Sequence, residues 1–276
     1  MKIVHISDIH IHDRPILGSE PVANFRACLA HVERNHSDAA AVVITGDLTH
    51  EGGTESYRLL KSILEASALK PRLLIGNHDD RAAFLEVFAD HPVDSAGYIQ
   101  WAEDVGPARF LYLDTAGPSH AGHYEAGRRA WLEAQLKRAR AEGRSVYIFM
   151  HHNPSPVGVR SADIIGMVEG KAFRAILGEN RDIIRHVFFG HCHFVLAGSV
   201  AGVPMSAPRS TNHPCVPEFE SRKAMGYGGL PPTYDVCLIE DDYVAVHSVD
   251  FLAGDNHAWE PISDEGWIDE TGEAAA

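Results

Sequence analysis

Short, uninterrupted apolar runs alternate along the chain with longer segments whose apolar residues recur every three or four positions. Each apolar run stops at Asp, Asn or His. Lys2 to Ser7 leads into Asp8-Ile9-His10-Ile11-His12, Ala39 to Thr45 into Gly46-Asp47, and Arg72 to Ile75 into Gly76-Asn77-His78-Asp79-Asp80. Further on, Phe110 to Leu113 stops at Asp114, Val146 to Met150 at His151-His152-Asn153-Pro154, and His186 to Phe189 at Gly190-His191-Cys192-His193. Runs of this length and composition fit strands buried on both faces of a parallel sheet.

The intervening segments predict helices over Pro21 to Glu33, around Tyr57 to Leu64, from Arg81, and over Tyr124 to Ala141. The Gly-Asn-His-Asp-Asp stretch would be the turn that starts the helix at Arg81, with Asn or Asp as its cap. Strands alternating with helices make an α/β fold, and in open α/β sheets the carboxyl ends of parallel strands are where sites assemble. Phe194 to Ala207 and Tyr234 to Val249 predict antiparallel hairpins that close the sheet. Between them, residues 208–232 are rich in Pro, Gly and polar side chains and predict a long loop over the site. Ser155 to Glu169 predicts a second rim element.

Composition narrows the function classes. The 276 residues are 45% hydrophobic, ordinary for a soluble globular protein, and no run of 18 apolar residues occurs. A soluble, cytoplasmic protein is expected, with no membrane partner. The net charge of -14 and an acidic end, residues 261–276, without Lys or Arg argue against binding a nucleic-acid polymer or anionic lipid. That end is expected to be a flexible tail. Four scattered cysteines without Cys-x-x-Cys spacing predict reduced, buried thiols rather than a thiolate metal cage.

The strand ends supply the candidate chemistry. Asp8, His10, Asp47, Asn77, His151, His191 and His193 offer carboxylate, carboxamide and imidazole donors, more than one tetrahedral ion uses. They suit two ions of intermediate hardness (Fe, Mn, Zn or Co), bridged by a carboxylate. Each motif alone is a weak signal; their joint order is not.

In that order, Asp8-Ile9-His10, Gly46-Asp47, Gly76-Asn77-His78-Asp79, His151 and Gly190-His191-Cys192-His193, the chain resembles the calcineurin-like metallophosphoesterases over about residues 3 to 193. The resemblance implies a four-layer α/β/β/α sandwich with a dinuclear site at the strand carboxyl ends. It implies that Asp8, His10 and His193 hold one ion, that Asn77, His151 and His191 hold the other, and that Asp47 bridges. A catalytic domain over residues 1–260 is expected, with 208–232 as its active-site and oligomer loop.

The segments His5 to His10, Ile75 to Phe88, Trp131 to Leu136 and Met150 to Pro154 look most like the bacterial cyclic-nucleotide and glycerophosphodiester phosphodiesterases. This finer resemblance implies a homo-oligomer and a metal-bridging hydroxide that attacks a small phosphodiester. It also implies that Asn77, His78 and His213 contact substrate, that His78 acts as catalytic group and that Asp79 orients its imidazole. The alternatives are a phosphomonoesterase of the same fold and a catalytically silent, metal-stabilised interaction module. Arg209, on the 208–232 loop, is a further candidate for a phosphate contact.

Overall fold

The computed structural model describes residues 1–220 and 224–253. The predicted tail therefore lies outside the described residues. Buried β-strands and amphipathic helices alternate as the periodicity predicts: β1 (Lys2–Ile6), α1 (Pro21–Asn35), β2 (Ala41–Thr45), α2 (Thr54–Glu65), β3 (Arg72–Leu74) and α3 (Arg81–Val87). The second half contributes β4 (Trp101–Val105), β5 (Ala108–Tyr112), α4 (Ala126–Ala141), β6 (Ser145–Phe149), α5 (Arg160–Asp163), α6 (Gly170–Glu179) and β7 (Ile184–Phe188). It ends with β8 (Leu196–Val200), β9 (Val203–Ala207), the two-residue strands β10 (Cys215–Val216) and β11 (Gly226–Tyr227), then β12 (Thr233–Ile239) and β13 (Val244–Asp250).

Two mixed sheets result, in the orders β13-β12-β1-β2-β3 and β4-β5-β6-β7-β9-β8. The central strands, such as β2, β5 and β6, are apolar on both faces because each sheet is covered twice. On β2, Val42 and Ile44 pack with Phe25, Leu29, Tyr57 and Leu60 of α1 and α2. Val43, one residue over, packs with Phe110, Tyr112, Phe149 and Phe188 of the other sheet. The outer face of that second sheet, including Leu111, Ile148 and Val187, packs with Leu132 and Leu136 of α4 and Phe173 of α6. Three apolar layers separate four structural layers, helix, sheet, sheet and helix.

The two late hairpins do not close a single sheet as expected. The β8–β9 hairpin adds to the second sheet through a parallel β7–β9 pairing, whereas the β12–β13 hairpin joins the first through an antiparallel β1–β12 pairing. Hairpin patterning encodes the local turn but not the sheet that receives it. Strand β4 has no clear apolar pattern and was not predicted; an Arg72–Glu103 ion pair at 2.6 Å ties it to β3 across the sheets. No helix among the described residues is long and apolar enough to cross a membrane.

Candidate metal centre

Parallel strands β1, β2 and β3 of the first sheet end at Asp8, His10, Asp47 and Asn77. Strands β6 and β7 of the second end at His151, His191 and His193. The seven candidate ligands therefore meet where the carboxyl edges of both sheets face each other. Five of them sit in left-handed backbone: Asp8 (φ 55), His10 (φ 45), Asp47 (φ 46), His191 (φ 68) and His193 (φ 58). Among the described non-glycine residues only Leu17 and Ala201 share that conformation. Such angles cost roughly 1–3 kcal/mol each and persist where the surroundings over-determine them, which is typical of functional sites.

The motif glycines have a steric reason to be there. A Cβ on Gly46 would lie 2.6 Å from His151 Nδ1, one on Gly76 would collide with the Asp47 carboxylate, and one on Gly190 with the Ser7 hydroxyl. Backbone passes so close to the site side chains that only glycine fits.

Two donor sets emerge from the distances. In one, His10 Nε2 lies 3.1 Å from His193 Nε2, His193 Nε2 lies 3.3 Å from Asp8 Oδ1, and His10 Nε2 lies 3.4 Å from Asp47 Oδ2. In the other, His151 Nε2 lies 3.1 Å from Asn77 Oδ1, 3.2 Å from His191 Nδ1 and 3.3 Å from Asp47 Oδ1. The two oxygens of Asp47 thus face different sets. Ligands at right angles about 2.1 Å from a cation stand about 3 Å apart, so both spacings fit a coordination shell.

The far nitrogen of three imidazoles is occupied by a main-chain carbonyl: His151 Nδ1 on Thr45 at 2.8 Å, His191 Nε2 on Ile165 at 3.1 Å and His193 Nδ1 on His213 at 3.0 Å. A carbonyl only accepts, so the far nitrogen carries the hydrogen and the near nitrogen keeps its lone pair. The lone pairs of His151 Nε2, His191 Nδ1 and His193 Nε2 converge on the site, the arrangement by which outer partners orient metal-binding histidines.

All seven side chains but Asn77 are buried. Burial alone would raise the Asp8 and Asp47 carboxyls, yet His193 beside Asp8 and His151 beside Asp47 hold both below the ordinary carboxylate range. In return, Asp47 overcomes the burial of His151 and lifts it to about 9, and Asp8 raises His193. His10 and His191, where burial dominates, are pushed down, His191 to about 3. Cations entering such a cluster displace protons from it.

The loop residues refine the expectations. His78 Nδ1 donates to the His50 carbonyl at 2.8 Å, the His78 and His50 rings stack at 5.2 Å, and His78 lines the pocket beside the donor sets. Asp79 does not orient that imidazole. Its carboxylate accepts from the main-chain N–H groups of Gly76, Leu48 and Thr49 and from the Tyr57 hydroxyl at 2.9 to 3.1 Å. Successive residues of a turn point different ways, so adjacency to His78 does not bring the groups together; Asp79 instead ties the β3 turn to the β2 turn that carries Asp47. Asp80 caps α3, its carboxylate accepting from Ala83 N–H at 2.8 Å.

His213 is buried, with ring centroids 4.5 Å from both His10 and His193. The loop carrying it is pinned to the site, because Ser210 Oγ donates to the Asp8 carbonyl at 2.7 Å. Arg209 lies away from it, bonded to the Pro231 carbonyl at 3.3 Å. His120 was not foreseen: its Nδ1 lies 3.1 Å from Asn77 Nδ2. Its loop has no motif or periodicity that marks it. Asp114, another strand-end acid, is taken up by Arg81 at 2.8 Å and is not part of the cluster.

Residues 1–194 match the family model for calcineurin-like phosphoesterases. The chain belongs to that family. Among its relatives, a probable cyclic nucleotide phosphodiesterase of Rhodopseudomonas palustris is 32% identical over 257 residues, covering 91% of this chain and 93% of that one. The glycerophosphodiester phosphodiesterase GpdQ of Enterobacter lignolyticus is 31% identical over 202 residues, covering 70% and 71%. In fold, the calcineurin-like chain is similar to a dimetal phosphatase from Danio rerio, with a TM-score of 0.68 at 13% identity over 91% of this chain and 96% of the other. The buried His/Asp clusters of this phosphoesterase sit where the two sheets' carboxyl edges meet.

Proposed function

We propose that the protein hydrolyses small phosphodiesters at a dinuclear metal centre. In this reading Asp8, His10 and His193 hold one ion, Asn77, His151 and His191 hold the other, and Asp47 serves both. The observation that carries it is the split of the Asp47 carboxylate, one oxygen 3.4 Å from His10 Nε2 and the other 3.3 Å from His151 Nε2. When bound, an ion pair of the Fe, Mn, Zn or Co type supplies Lewis acidity, offsets phosphate charge and acidifies a water.

The chain's own groups do the rest. Carbonyls of Thr45, Ile165 and His213 hold three imidazoles in register. Asn77 presents Oδ1 to the second donor set while its Nδ2 is held by His120. His78, fixed at Nδ1 by the His50 carbonyl, lines the pocket and leaves Nε2 for substrate; as an imidazolium it can bond a phosphoryl oxygen and protonate the leaving oxygen, help worth about 10²–10⁴-fold. His213 packs against His10 and His193 at the pocket edge, where it would border bound substrate.

A diester rather than a nucleic-acid polymer is supported by the charge of -14 and by the substrates named for the relatives. The test is release of p-nitrophenol from bis(p-nitrophenyl) phosphate after loading with Mn, Fe or Zn. A fully loaded protein that leaves the diester intact overturns the reading.

A further inference from the structure

Beside the donor sets lies a pocket of about 800 Å³ whose outer half has a character unlike its floor. The floor is imidazole, amide and carboxylate. The wall is Leu17, Ile164, Ile165, Met225 and Tyr227, with Arg160 at the rim. Leu17, Ile164, Met225 and Tyr227 are 59%, 70%, 46% and 38% exposed, so these large apolar side chains face the opening instead of joining a core.

Leu17 is held there against its backbone preference. It sits at φ 50, followed by Gly18 at φ 80, in a tight turn closed by mutual 2.9 Å hydrogen bonds between Ile16 and Ser19. A bulky residue in left-handed backbone at the mouth of a pocket is the kind of strain that functional sites retain.

Charge decides the occupant. Among the described residues, Arg160 is the only Lys or Arg lining the pocket, and none of their carboxylates pairs with it. Among the described residues, Asp47 is the only lining acid, and it belongs to the donor sets. The outer half therefore repels a cationic headgroup and suits a flat, electron-rich ring, on which a guanidinium stacks or to whose acceptor edge it donates in pairs. Glycerol offers neither a ring face nor apolar area to the wall.

We infer that Leu17, Ile164, Met225, Tyr227 and Arg160 form a subsite for a planar heteroaromatic substituent of the nucleobase class on the scissile diester. The inference rests on the diesterase reading and adds the part of the substrate that the donor sets do not touch.

The experiment compares metal-loaded full-length protein on 3′,5′-cyclic AMP, glycerophosphocholine and methyl p-nitrophenyl phosphate. The wild type should show kcat/KM for cyclic AMP at least about ten-fold above that for glycerophosphocholine. In Arg160→Ala and Tyr227→Ala, the ratio of kcat/KM for cyclic AMP to that for methyl p-nitrophenyl phosphate should fall about ten-fold, chiefly through KM. Adenosine monophosphate should inhibit the wild type more strongly than inorganic phosphate, and Arg160→Ala should narrow that gap. Equal or faster cleavage of glycerophosphocholine, or variants that slow both reference substrates alike, overturns the subsite while leaving the diesterase reading intact. Failure to cleave any of the three diesters removes the reading beneath it.

Discussion

Asp47 Oδ1 lies 3.3 Å from His151 Nε2, so a carboxylate at the end of β2 in one sheet meets an imidazole at the end of β6 in the other. Asp47→Asn keeps the shape but replaces one of its two acceptor oxygens with a donor. Metal content of the purified variant should fall, and diester turnover should drop by about 10²-fold or more. Elemental analysis alongside the p-nitrophenol assay checks both; a variant that retains two ions per chain would remove Asp47 from the bridging position.

His78→Ala separates chemistry from metal holding. Its imidazole is bonded to the His50 carbonyl rather than placed within either donor set, so two ions should remain while kcat falls about 10²–10⁴-fold. Loss of metal from this variant would assign His78 to the coordination shell instead.

Asp79→Asn should act on stability. The carboxylate is surrounded by donors from Gly76, Leu48, Thr49 and Tyr57, and an amide turns an N–H toward at least one of them. A loss of about 2–4 kcal/mol in urea denaturation is expected, with metal affinity falling as the Asp47 turn loosens. A near-neutral variant would show that the turn holds without this acceptor.

Asp235, on the inter-sheet side of β12, gives a pH signature away from the metal cluster. Burial lifts its carboxyl to about 6, opposed only by the Ser248 hydroxyl at 2.6 Å. Because the folded protein holds this proton more tightly than the unfolded chain, the associated stability is complete below about pH 4 and is lost as pH rises through about 6. Asp235→Asn removes that dependence, so its advantage over wild type should grow by up to about 3 kcal/mol between pH 4 and pH 7. Paired denaturation curves at the two pH values measure it, and a constant difference would contradict the assignment.

What could be read from the chain follows from which interactions are local. Val42 to Ile44 announce a doubly buried strand because each face has its own apolar layer, and Gly46, Gly76 and Gly190 mark the close passages beside the site. Sheet membership was not legible, since β9 and β12 carry hairpin patterns that suit either sheet equally. Asp79 misled because its partners, Leu48 and Thr49, are about thirty positions away. His120 and Leu17 reach the site on loops, and Arg160 at the start of the short α5, in segments whose course depends on the packed layers beneath them, and no spacing rule brings such residues to one place.

The division of the seven donors between two sheets has a consequence for how the molecule is put together. Neither half of the chain contains both complete donor sets, so a chain with only its first sheet formed offers no closed shell to a cation. On the dinuclear reading, tight loading rewards only the last assembly step, the docking of the two sheets, and ions that bind solely the finished form shift the equilibrium toward it. On that same reading, a supply of metal selects correctly mated sheets over chains in which only one sheet has formed.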